Sequence, residues 1–193
     1  MKTIVIDNFD SFTYNLVHYI EEISNVRPVV VRNNAFELKE LDQYDCIVLS
    51  PGPGLPKDAG LMMEILKTYH ASKIILGVCL GHQAICEYFG GSLYNLDKVY
   101  HGVDTPMSIY SDKILYGDLK NISIGRYHSW AVSKMNLPKE IEITGEDETG
   151  IIMSVKHTSL PIHGIQYHPE SVLTPEGKKL LSNFFNHYKN WQN

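Results

Sequence analysis

The stretch Ile74-Ile75-Leu76-Gly77-Val78-Cys79-Leu80-Gly81-His82-Gln83 decides how this chain folds. Ile74 to Val78 is a continuous apolar run and reads as a buried strand. The helical pattern that follows, Gly81 to Phe89, is stopped by Gly90-Gly91. The same alternation runs back to the N-terminus. Lys2 to Ile6, Val29 to Val31 and Cys46 to Leu49 read as strands. Phe12 to Ile23 reads as a helix, with Phe12, Leu16, Tyr19 and Ile20 at helical spacing. Phe36 to Leu41 is a short helix or turn. Asp58 to Tyr69 is a helix with Asp58 as its expected N-cap. Alternating helices and continuous apolar strands mark a parallel sheet covered on both faces.

Beyond Gly91 the pattern changes. Several short strands are expected up to Ile165, with turn signals at Tyr116-Gly117-Asp118 and Glu148-Thr149-Gly150. They read as an antiparallel edge on the same sheet. Thr174 to Tyr188 closes the chain as a helix, with Pro175 in its first turn and Leu180, Leu181, Phe184 and Phe185 on its apolar face. The expected fold is α/β in three layers: a mostly parallel central sheet, helices on both faces and an antiparallel edge. A single domain over 1–193 is expected, without repeats or linkers.

Composition narrows the function classes. Hydrophobic residues at 44% and charged residues at 20% give a globular balance, and a net charge of −5 argues against non-specific binding to nucleic acid or an anionic membrane. Tyr94, Tyr100 and Tyr110 lack the basic background of a nucleic-acid platform. Three cysteines, Cys46, Cys79 and Cys86, cannot all pair and include no Cys-x-x-Cys, so a reducing, cytoplasmic setting is expected. Met1 to Ile6 leads into no secretory apolar core, and the longest apolar run, about Ile74 to Leu80, is far short of a membrane span. Neither a metal nor another cofactor is expected, because no metal-ligand spacing is present.

Gly77-x-Cys79-x-Gly81 has the spacing of a nucleophile elbow with sulfur in place of the serine oxygen. A sharp strand-to-helix turn strains the nucleophile's backbone, and side chains two residues to either side would collide. The turn lifts the sulfur to the carboxyl edge of the sheet, the helix N-terminus favours its thiolate, and the Leu80 amide points to where an oxyanion forms. Cys46 and Cys86 read as small buried hydrophobes. A cysteine nucleophile needs a base and a group that orients the base. Among nine histidines, only His168 is followed by a carboxylate in a short rigid unit, His168-Pro169-Glu170. Extended chain points residues 168 and 170 the same way, so Glu170 reaches the ring. His82 is the competing base, and His101 and His128 are candidates for supporting groups. Ser50-Pro51-Gly52-Pro53-Gly54 lies at the same sheet edge, where its backbone amides suit a second oxyanion donor or a carboxylate clamp.

Together, Ser50 to Gly54, Gly77 to Gln83, Arg126-Tyr127-His128-Ser129 and Gly164-Ile165-Gln166-Tyr167-His168-Pro169-Glu170-Ser171 resemble the class I glutamine amidotransferases, over nearly the whole chain. Asp7-Asn8-Phe9-Asp10-Ser11-Phe12-Thr13-Tyr14-Asn15-Leu16 looks like the chorismate-using branch, the amidotransferase subunits of anthranilate synthase and aminodeoxychorismate synthase. It also reads as a strand-to-helix connection capped by Asp10 or Ser11. The resemblance implies a flavodoxin-like fold. It implies that Cys79 attacks the glutamine amide, that His168 protonates the departing ammonia, and that Glu170 orients His168. It assigns the oxyanion to the amides of Gly52 and Leu80. It assigns the glutamine head groups to Gln83, Ser129 and the backbone at Trp130, beside Pro53 and Gly54. Trp130 departs from the leucine that the family most often has there. The implied partner is a separate chorismate-converting synthase chain, anthranilate synthase component I or aminodeoxychorismate synthase component I. Two other readings stand beside it: a stand-alone cysteine hydrolase of γ-glutamyl bonds, and a non-catalytic module on the same fold.

Overall fold

The computed structural model describes residues 1–191. Among these residues nine strands form one sheet: β1 (Thr3–Asp7), β2 (Val29–Arg32), β3 (Cys46–Leu49), β4 (Ile74–Val78), β5 (Leu93–Ile109), β6 (Asn121–Val132), β7 (Ile141–Asp147), β8 (Ile152–His157) and β9 (Ile162–Ile165). Their spatial order is β2-β1-β3-β4-β9-β8-β7-β5-β6. The helices are α1 (Thr13–Ser24), α2 (Met62–Tyr69), α3 (Leu80–Tyr88), α4 (Lys113–Tyr116) and α5 (Gly177–Tyr188).

Strand period decides which helix covers which face. Val5, Val48 and Leu76 turn to one side and meet Leu16, Val17 and Ile20 of α1 and Leu180, Leu181, Phe184 and Phe185 of α5. Ile4, Ile6, Ile47, Leu49 and Ile75 turn to the other and meet Met62, Ile65 and Leu66 of α2 and Ala84 and Ile85 of α3. Each of these side chains larger than alanine stabilises the fold by roughly 1.5–3 kcal/mol through burial. The three layers are as expected.

The antiparallel part is larger than an edge. Strands β2, β1, β3, β4 and β9 pair in parallel, and β9, β8, β7, β5 and β6 pair antiparallel, so the sheet is half parallel rather than mostly parallel. The expected short strands are partly merged into the 17-residue β5 and 12-residue β6. Most of β5 is open to water and carries no apolar alternation to reveal its length.

Local signals erred at three helix starts. Asp58 does not cap α2: a 3-10 turn at Pro56–Asp58 comes first, and α2 begins after Leu61 without a side-chain cap. Between them Gly60, at φ 54°, passes against Asn33, whose carbonyl accepts from Leu61 N at 2.8 Å. Neither Asp10 nor Ser11 caps α1. Asp10 Oδ1 accepts from Phe12 N at 2.8 Å, which orders the turn ahead of the helix. Helix α5 starts at Gly177 rather than Thr174, so Pro175 precedes it, and Gly177 lies directly against the Pro169 carbonyl.

Candidate active site

Strands β1, β3, β4 and β9 run parallel, so their carboxyl ends bring Asn8, the loop Ser50 to Gly54, Cys79 and the segment Gln166 to Glu170 to one edge. Asn8 fastens two of these ends together. Its N–H donates to Ser50 Oγ and its Nδ2 to the Ser50 carbonyl, both at 2.8 Å, and its Oδ1 accepts from Asn33 Nδ2 at 3.0 Å.

Cys79 has φ 52° and ψ −99°, a conformation that costs a non-glycine residue on the order of 1–3 kcal/mol. The surroundings impose it. Cys79 N donates to the Ile165 carbonyl at 2.8 Å, and its own carbonyl accepts from Gln83 N at 3.1 Å. A Cβ on Gly77 would strike the Gly81 backbone, and one on Gly81 would strike the Leu49 carbonyl. Both glycines are therefore required by close backbone approach, as the spacing predicts. The sulfur sits in a cavity of about 190 Å³.

His168 and Glu170 are both buried, with His168 Nδ1 2.7 Å from Glu170 Oε1. Thr174 Oγ1 donates to the His168 carbonyl at 2.7 Å, and His168 N to the Gly125 carbonyl at 3.0 Å, which fixes the backbone that carries the ring. Burial alone would lower the pKa of His168. The adjacent Cys79 sulfur and the Glu170 carboxylate outweigh it and hold the imidazole well above its ordinary range. Nε2 of His168 completes no hydrogen bond among the described residues. Cys79 therefore neighbours the ring as expected, but the expected bond between them is not closed. Phe12 and Tyr127 cover the ring from outside, with centroids 5.5 and 4.9 Å away.

The competing base is buried and held neutral. His82 is fully buried, neither ring nitrogen has a partner among the described residues, and burial pushes its pKa down to about 3. It is a neutral packing group against Gly164. His128 is also neutral: burial and then the charge of Arg126 push it down to about 4. Its Nδ1 donates to the Trp130 carbonyl at 2.8 Å, so its Nε2 is the acceptor for Arg126 Nε at 3.1 Å. Arg126 is wholly buried, paired with Asp147 Oδ2 at 2.5 Å and stacked 3.5 Å from the Tyr100 ring centroid. His101 packs edge-on against the Tyr127 ring, at 5.7 Å. Burial pushes the Cys46 and Cys86 thiols far up, so both remain inert packing groups.

Eight residues picked out in the sequence line the cavity: Gly52, Pro53, Gly54, Cys79, Gln83, His128, Ser129 and Trp130. Leu80 stands behind them in contact with Gly52. A Cβ on Gly52 would come within 2.9 Å of Leu80 Cδ2 and 2.6 Å of Asn8 Cβ. The amides of residues 52 and 80 thus belong to neighbouring groups, and α3 opens at Leu80, where backbone N–H groups have no partner inside the helix. The Trp130 carbonyl accepts from Gln83 Nε2 at 3.0 Å, so residue 130, which lines the cavity, is engaged through its backbone. Tyr127 completes the lining. Tyr127, Asn8 and Gln166 were not singled out in the sequence, although all three lie inside motif stretches. Gln166 Nε2 contacts Cys79 Sγ at 3.6 Å.

The family model "Glutamine amidotransferase class-I" matches residues 4–188. Anthranilate synthase component 2 of Cyanophora paradoxa is 44% identical over 188 residues, covering 95% of this chain and 97% of that one. Aminodeoxychorismate/anthranilate synthase component 2 of Bacillus subtilis is 39% identical over 189 residues, covering 96% of both. A crystal structure of a glutamine amidotransferase from Thermotoga maritima superposes with a TM-score of 0.73 at 17% identity, over 98% of this chain and 83% of that chain, and shows the fold.

Proposed function

This chain belongs to the class I glutamine amidotransferase family, and from that we propose that it is the glutamine-hydrolysing subunit of anthranilate synthase, spanning 1–193 as one unit. The observation that carries the reading is the strained Cys79 turn in a polar cavity beside a histidine held by Glu170.

The chemistry follows from the positions. L-glutamine enters with its side-chain amide toward Cys79. Its head groups meet Gln83, Ser129 and the backbone at Trp130, beside Pro53 and Gly54. The thiolate attacks the amide carbon, and the negative charge that develops on oxygen is met by the amides of Gly52 and Leu80, worth about 10²- to 10³-fold in rate for one such donor. His168, already biased toward its protonated form, gives its proton to the leaving nitrogen. Ammonia departs and a glutamyl thioester remains. His168, now neutral, takes a proton from water, hydroxide attacks the thioester, and glutamate leaves as Cys79 returns to thiolate. Glu170 keeps the ring in the correct orientation throughout. This chemistry asks for no cofactor from this chain.

Free ammonia is protonated in water, so the product must pass directly to a synthase chain. For this chain we assign a chorismate-converting component I, in the cytoplasm, where three unpaired thiols are at home. No helix among the described residues is long and apolar enough to cross a membrane. A second reading, the amidotransferase subunit of aminodeoxychorismate synthase, is favoured by the double name of the Bacillus subtilis relative, which supports one chain serving either synthase.

The test is reconstitution with each component I. Cys79→Ser should abolish glutamine-dependent product while ammonium salt still sustains the synthase. Loss of both activities would count against an ammonia-delivering subunit. Product made with only one of the two synthases decides between the pathways.

A further inference from the structure

We propose that Gln166 is a catalytic residue whose side-chain N–H donates to the Cys79 sulfur, holding it ready for attack, and that Gln83 fixes Gln166 in that orientation. The proposal rests on reading Cys79 as the nucleophile.

The direction of the contact follows from the hydrogen-bond chain. A backbone carbonyl can only accept, so the group 3.0 Å from the Trp130 carbonyl must be the nitrogen of Gln83. That carbonyl is itself held in place by His128 Nδ1 at 2.8 Å, and His128 is anchored through Arg126 to Asp147. The second hydrogen on Gln83 Nε2 goes to Gln166 Oε1 at 3.1 Å. With its oxygen committed, Gln166 has only its Nε2 to present to Cys79 Sγ, at 3.6 Å, an N–H···S distance. A flipped Gln166 would set nitrogen against nitrogen at one end and oxygen against sulfur at the other.

The surroundings make this contact matter. Gln166 has no exposed surface, so water cannot replace its N–H. An N–H donor stabilises thiolate more than thiol, and in the reaction it releases its hold as the sulfur's charge moves onto the substrate oxygen. Gln166 and His168 flank Tyr167, which turns away into the core and meets the Tyr116 hydroxyl at 3.0 Å, so the two neighbours of Tyr167 both serve the sulfur. Gln83 spends both N–H groups on protein acceptors, which leaves its Oε1 as the atom available to a donor on the substrate. Substrate binding and nucleophile orientation are therefore joined by one side chain.

Alkylation of Cys79 by iodoacetamide, read by mass spectrometry across pH, tests this on the purified chain. Cys46 and Cys86 are fully buried and stay silent. Gln166→Met removes the donor at similar volume. Gln166→Glu keeps an acceptor for Gln83 Nε2 but sets a carboxylate against the sulfur. The expected result is a pH midpoint of alkylation raised by about one unit in the Met variant and by more in the Glu variant, with up to about 10-fold slower alkylation on the acid side of the midpoint. A merely structural role would lower yield or turnover and leave the midpoint in place. An unchanged midpoint in Gln166→Glu overturns the proposal. A Cys79→Ala control separates the premise: retained glutamine hydrolysis there removes the nucleophile itself, whereas a dead control beside an unmoved midpoint removes only the role of Gln166.

Discussion

Glu170 Oε1 stands 2.7 Å from His168 Nδ1, with a single proline between the two residues in the chain. The carboxylate both aims the ring and helps keep it protonated. Glu170→Gln preserves the volume and removes the charge, so turnover should fall by about 10²- to 10⁴-fold. Because the histidine loses one of the two groups that raise its pKa, the alkaline limb of the kcat–pH profile should also move to lower pH. The profile of the reconstituted enzyme checks both.

Gly52→Ala should act on rate more than on stability. The new Cβ would lie 2.6 Å from Asn8 Cβ and 2.7 Å from the Asn8 carbonyl, and Asn8 is locked to Ser50, so the loop must move instead. Displacing one oxyanion amide should lower kcat by about 100- to 1000-fold with little change in KM. Steady-state kinetics over a range of glutamine concentrations measure the split.

His82 gives the fold an acid sensitivity. Its folded pKa of about 3 lies below the ordinary histidine value, so between those limits the unfolded chain binds a proton that the folded chain refuses. Its contribution is complete above about pH 6.5 and is lost as pH falls toward 3. From pH 7 to pH 5 the loss should be about 2 kcal/mol. A His82→Leu variant should lose about that much less than the parent over the same interval. Urea midpoints at the two pH values give the comparison.

Cys79→Gly should be inactive yet more stable. Glycine tolerates φ 52° without strain, and its larger unfolded-state entropy offsets only part of the relief, so a net gain of up to about 1 kcal/mol is expected. Thermal and denaturant unfolding measure it. A loss greater than about 2 kcal/mol, more than deletion of the buried Cys79 side chain accounts for, would mean that the turn is not strained.

The parallel half of the fold was readable because its inner strands are buried on both faces and their apolar runs are continuous: Cys46–Leu49 and Ile74–Val78 fall at the residues expected. Strand β5 was not, because partners rather than apolar alternation set its extent, and its pairing with β6 shifts register twice. The elbow and His168-Pro169-Glu170 were legible because chemistry and spacing coincide within a few residues. Gln166 and Tyr127 were not, because their roles arise across the fold: Gln166 meets a sulfur 87 positions away, and Tyr127 closes over a ring delivered by β9. Asp58 shows the opposite failure, a good capping residue overruled by the turn at Gly60.

Gly77 and Gly81 are not among the residues that line the cavity; they are held by contact with each other and with Leu49. A descendant of this chain that abandoned the reaction would be free to exchange its sulfur, but either glycine could be replaced only by dismantling the bend. The pair would then outlast the activity, a fossil of the turn in a lineage that had lost its enzyme.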